Sequence, residues 1–183
     1  MRLPRTFYER ETTIIARELL GATLTSRIDG RLIRGRIVET EAYHGEDDLA
    51  CHASRGRTKR TETMYGAPGH AYVYLIYGMY HCLNVVTMSR EFPAAVLIRA
   101  VSVPHVSFSE VNGPGKLCRF FGITKEENGI DMVKGDRLSI ERGALVSDRC
   151  ILVTPRIGIE YAKNSRDFPW RFVLKEESLP HSR

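Results

Sequence analysis

The chain of 183 residues carries 27 Lys and Arg against 22 Asp and Glu, a net charge of +5 with histidines neutral, and 43% of it is apolar. That length suits one domain spanning 1–183 with a sizeable core, and the balance of apolar and charged residues excludes a disordered or fibrous chain. No apolar run is long enough for a membrane span, the start MRLPRTFYERE lacks the apolar core of a secretory leader, and the cationic excess favours a polyanionic partner without naming one.

In chain order, TTIIARELLG (12–21) reads as a short helix, with Thr12 as N-cap, Ile14, Ile15 and Leu19 on its apolar side, and Gly21 at its C-terminal stop. ATLTSRI (22–28) and RLIRGRIVET (31–40) flank Asp29-Gly30, a pair that supplies the positive φ angles of a tight hairpin. Residues 44–70 show no period and read as a long functional loop. HAYVYLIYGMYHCLNVVTM (70–88) alternates, with Tyr72 and Tyr74 on one face and Val73 and Leu75 on the other, and Gly78 turns the chain back on itself. AAVLIRAV (94–101) is another strand, and NGPGKLCRFFGI sets a tight turn before a short helix. RLSIE (137–141), ILVTPRIGI (151–159) and WRFVL (170–174) are the remaining strands. Many strands, few helices and no βαβ rhythm predict an α+β fold with a mostly antiparallel sheet and peripheral short helices. Cys51, Cys82, Cys118 and Cys150 form no Cys-x-x-Cys pair, so separate thiols are expected.

Chemistry concentrates in GRIVETEAYHGEDDLACHASRGR (35–57). If the strand continues through Tyr43, a period of two puts Glu39, Glu41 and Tyr43 on one face. Acids held together or desolvated serve as bases near neutral pH, whereas the same spacing also describes a solvated strand edge. His44 and His52 offer metal ligands beside Glu39 or Glu41, without a recognised metal spacing. RGRTKR (55–60) is a cationic run that suits either plain solvation or phosphate contact. GPGK, ending at Lys116, is no phosphate-cradling Walker loop. Of the four tyrosines in YVYLIYGMY, Tyr77 stands out, because a hairpin tip at Gly78 would push its ring into solvent, where an aromatic wedge can unstack nucleic acid.

Together and in order, RIVETEAY, the histidine at 52, YVYLIYGMYHCLN, LIRA and GPGKLC resemble the alkyladenine (3-methyladenine) DNA glycosylase family, from about Gly21 to the end of the chain. The resemblance implies a single-domain α+β fold with a curved antiparallel sheet and a protruding, DNA-inserting β-hairpin. It implies a monomer acting on double-stranded DNA that carries a damaged purine, with neither metal nor organic cofactor. Such a protein would be cytoplasmic in a bacterium or nuclear in a eukaryote. The water-activating carboxylate would be Glu41, with Glu39 in support and Arg99 positioning it. Tyr43, His52 and Tyr74 would wall a flipped base, the Ala50 and His52 backbone would meet its edge, and Asn84 would obstruct guanine's amino group. Tyr77 would fill the gap left in the duplex, and Thr58, Met64, Met79 and Tyr80 would touch DNA.

The implied reaction hydrolyses the N-glycosidic bond of 3-methyladenine, hypoxanthine, ethenoadenine or a related base and leaves an abasic site in an intact strand. A catalytically silent binder of damaged DNA is the alternative. The chain departs from the family pattern in a shorter segment between RAVSVPHVSFSE and VNGPGKLC, and at Cys51, His70 and His81.

Overall fold

A computed structural model describes residues 1–175, so the last eight positions of the expected 1–183 domain lie outside the described residues. Helices α1 (Arg5–Tyr8) and α2 (Thr12–Glu18) open the chain. The cap of α2 is not Thr12 but Glu11, whose carboxylate accepts from Ile14 N–H. Thr12 is buried instead, its hydroxyl bonded to His44 Nδ1 and to Thr87. Ile15 and Leu19 enter the core, while Ile14 is about half exposed, because a seven-residue helix lying on a sheet buries only a narrow stripe.

Strands β1 (Thr23–Ile28) and β2 (Arg31–His44) form the expected hairpin, with Asp29 and Gly30 at φ 51° and 73°. β2 runs on through Tyr43 to His44, four residues beyond the sequence expectation. The 44–70 segment contains two 3-10 turns, His52–Arg55 and Glu62–Tyr65. β3 (Ala71–Ile76) and β4 (Tyr80–Val86) pair as a hairpin, followed by β5 (Ala94–Ser102), α3 (Phe108–Val111), α4 (Pro114–Phe121), β6 (Leu138–Glu141), β7 (Ile151–Thr154) and β8 (Arg171–Leu174). The expected 151–159 strand stops at Thr154, since Pro155 cannot donate to a ladder and Gly158 turns the chain at φ 75°.

Among the described residues one eight-stranded, wholly antiparallel sheet results, in the order β3-β4-β5-β2-β1-β6, with β8 joined to β2 and β7. β2 is its spine. Val73, Leu83, Val85, Val96 and Ile98 point to one face and form the main core with α2 and α4. Thr40, buried on that same side, donates to the Ala16 carbonyl of α2 at 2.7 Å. The other face carries the polar and aromatic residues, and the 44–70 segment covers it with a small cluster of Cys51, Ala53, Met64 and Tyr65.

Among the described residues no helix is long and apolar enough to cross a membrane. All four cysteines are free.

Candidate active site

Sheet register assembles the site. Residues directly opposite one another across an antiparallel sheet share a face, so Tyr72–Asn84–Leu97–Glu41 form one row across β3, β4, β5 and β2. A second row holds Val86, Ala95 and Tyr43, and a third holds Tyr74 and Cys82. An undisturbed ladder would set Arg99 opposite Glu39. Two register shifts instead pair Glu39 with Ala100 and Thr40 with Ile98, leaving Val38 and Arg99 as unpaired bulge residues. Bulges re-aim side chains beside functional sites. Here the Arg99 guanidinium donates both to Glu39 (Nε to Oε1, 3.1 Å) and to Glu41 (3.2 Å).

Glu41 has no exposed surface. Its Oε2 accepts from the Tyr43 hydroxyl at 2.8 Å and from Arg99, and its Oε1 accepts from Ile157 N–H at 2.8 Å. A carboxylate offers about four lone-pair sites, so three are filled and one on Oε1 remains. Glu39 accepts a second arginine, Arg171, at 2.6 Å. The two acids therefore share one cation and remain distinct in their other partners.

In front of this pair lies a cleft of about 430 Å³. Tyr43, His52, Tyr74, Asn84 and Ala50 line it, as do Arg99 and Ile157, whereas Glu41 sits one layer behind the surface that its three donors form. His52 and Tyr74 stand edge to face with centroids 4.5 Å apart, and Tyr72 donates to or accepts from His52 Nδ1 at 2.9 Å. Burial, reinforced by Arg60 and Arg55, lowers the His52 pKa to about 4, so the ring is neutral at pH 7. Burial above all, and then Glu41, pushes the Tyr43 hydroxyl well above its usual value, and burial does the same for Tyr74. The walls are thus uncharged aromatic faces. Asn84 is fixed by its amide donating to the Tyr72 carbonyl at 3.1 Å.

The hairpin tip borders the cleft. Tyr77 is 84% exposed and adopts φ 53°, next to Gly78 at 69°. A left-handed backbone is strained for a bulky residue. Met79 is also exposed, and Tyr80 lies at the cleft mouth against Gly115 of α4, where any Cβ would fall within about 3 Å of the ring. Thr58 is exposed. Met64, placed in the same group by sequence, is 2% exposed and packs into the inner wall of the cleft, because the 3-10 turn Glu62–Tyr65 folds it inward.

His44 and His52 do not converge. His44 faces Thr12 and Phe92, and no group of three His, Cys, Asp or Glu among the described residues could hold a metal ion.

Sequence reasoning missed the 155–162 segment that closes the cleft. Arg156 is buried, paired in bidentate fashion with Asp48 at 2.6 and 2.8 Å, and donates to the Ala42 and Ser165 carbonyls. Its guanidinium also lies 4.7 Å from the centroid of the Tyr43 ring. This clamp sets the following residue, Ile157, to donate to Glu41. The only local signal was a proline and a glycine bracketing an arginine in PRIG, which belong to a loop better than to a strand.

The model of the family described as "Methylpurine-DNA glycosylase (MPG)" matches residues 6–178. A protein of Methanocella arvoryzae named "Putative 3-methyladenine DNA glycosylase" is 49% identical over 94% of this chain and 92% of its own length. Proteins of the same name from Clostridium perfringens and Bacillus mycoides are 44% and 46% identical, with 98% and 96% of this chain covered and 98% and 97% of theirs. A match over residues 6–178, with relatives covered over more than nine tenths of their length, places this chain in the methylpurine-DNA glycosylase family.

Proposed function

We propose that the protein excises damaged purines from duplex DNA by hydrolysing the N-glycosidic bond of an everted nucleotide. One observation carries this reading: a carboxylate held by three donors, one of them an arginine, lies directly behind a base-sized cleft walled by Tyr43, His52 and Tyr74.

Eversion costs a few kcal/mol, least at a damaged or mispaired base. Tyr77, exposed at the rim, offsets part of that by stacking in the vacated position, with about 1–3 kcal/mol available per base. Inside, an alkylated purine lies between aromatic faces, and a cationic one gains about 0.5–2 kcal/mol from their π-systems. A neutral His52 imposes no repulsion on such a base.

A water at the cleft floor, beside Arg99 and Ile157, gives its proton to the free lone pair of Glu41 Oε1 as its oxygen bonds to C1′. The electron pair of the C1′–N bond leaves with the base, which neutralises a cationic 3-methyladenine outright; a neutral hypoxanthine takes a proton from solvent. Glu41 and Glu39 also oppose the positive charge that develops on the sugar. Arg99 orients Glu41, and Asn84 projects where a guanine amino group would enter. Water as nucleophile leaves the strand intact, whereas a lysine would form a Schiff base and nick it; among the described residues no lysine lines the cleft.

Single-lesion duplexes incubated with the protein test this. Release of 3-methyladenine or hypoxanthine, with strand scission only after alkali, is expected. Tight binding without release would install the silent-binder reading instead, and sensitivity to a chelator would install a metal-dependent hydrolase.

A further inference from the structure

Arg60, the last residue of the cationic run, has no part in the reaction described above. Its guanidinium carbon lies 5.3 Å from the centroid of the Tyr74 ring. Tyr74 lines the base cleft and Arg60 does not; Arg60 instead lines the neighbouring groove with Arg55 and Lys163, a groove that shares His52 with the cleft. The Tyr74 ring therefore lies between the Arg60 cation and the space that a base would occupy.

We propose that Arg60 is a specificity-determining residue that biases this cleft toward neutral damaged purines and against cationic ones. The inference rests on the glycosylase reading and deepens it. An aromatic ring attracts a cation through the negative charge of its π-face. With Arg60 already drawing on the Tyr74 ring from outside, less of that attraction is left for a positive base on the inner face. The two positive charges, one ring apart, also repel each other directly. A neutral base such as hypoxanthine feels neither effect and keeps its full stacking.

The test compares wild type, Arg60→Gln and Arg60→Lys by single-turnover kcat/KM on alkylated duplex DNA releasing 3-methyladenine and on a duplex carrying hypoxanthine. Arg60 is exposed, so both variants should fold, and thermal melting checks this. Arg60→Gln is expected to raise the 3-methyladenine-to-hypoxanthine ratio about threefold or more, a change in line with the strength of exposed cation–π contacts. Arg60→Lys, which keeps the charge, should stay within about twofold of wild type. If both rates of Arg60→Gln fall together with the ratio unchanged, Arg60 is only a phosphate contact and the proposal is overturned. An unchanged ratio at unchanged rates overturns it equally. Failure of the wild type to release either base would instead refute the glycosylase reading and take this proposal with it.

Discussion

Replacing Glu41 by glutamine changes one oxygen into an N–H₂ group at a place where every neighbour is a donor. If the new amide nitrogen faces Tyr43 and Arg99, two donors oppose it; if it faces Ile157, only one does. The second orientation is favoured, and it leaves the Ile157 N–H and the amide N–H facing it without an acceptor, at a cost of about 1–3 kcal/mol for each. For a chain of this size each kcal/mol lowers Tm by about 2–4 °C, so a fall of several degrees with a cooperative transition is expected. Arg99 keeps Glu39 as its counter-ion, which limits the damage to the fold. The effect on chemistry is larger. A lost general base costs about 10²–10⁴-fold, and the lost negative charge near the sugar adds to this, so excision should slow by at least about 10³-fold. The assay is single-turnover release of hypoxanthine with enzyme in excess, alongside duplex affinity by fluorescence anisotropy. Affinity within about threefold of wild type with release abolished is the expected pattern. Release within tenfold of wild type in a folded Glu41→Gln protein would show that water is activated elsewhere. Glu39→Gln should lose far less rate, since among the described residues its carboxylate meets only the two arginines.

Three further outcomes are expected. Asp48→Ala leaves Arg156 buried without its charge partner, and urea titration should show a loss of about 3–5 kcal/mol; a loss under 1 kcal/mol would mean that the pair does not clamp the 155–162 segment. Tyr77→Ala should leave stability within about 0.5 kcal/mol, since the ring is exposed. The same variant should weaken activity on duplex by tenfold or more while sparing single-stranded substrate, and equal loss on both would dismiss the wedge. His52 is held neutral in the folded protein with a pKa of about 4 against an ordinary 6.5, so its contribution to stability is complete above pH 6.5 and drains away as pH falls toward 4. The difference amounts to up to about 3 kcal/mol. His52→Phe should therefore show a shallower fall in the unfolding midpoint over that window than wild type, and parallel curves would contradict the assignment.

The sequence by itself determined what is local. Asp-Gly between two alternating runs specified the first hairpin, the alternation of VETEAY and AYVYLI put Glu39, Glu41 and Tyr43, and Tyr72 and Tyr74, on shared faces, and Gly78 beside Tyr77 marked an exposed tip. A period of two needs only neighbouring residues to be read. Tertiary structure alone decided the rest. The bulge that frees Arg99, the inward turn of Met64, and Glu11 in place of Thr12 as the cap each depend on what packs from elsewhere. The identity of the donors to the buried acid is the clearest instance: Ile157 meets Glu41 across 116 positions of chain, and Arg156 meets Asp48 across 108. Such pairings are set by closure of the whole sheet, and burial makes them obligatory, because a carboxylate without water must find its donors wherever the fold brings them.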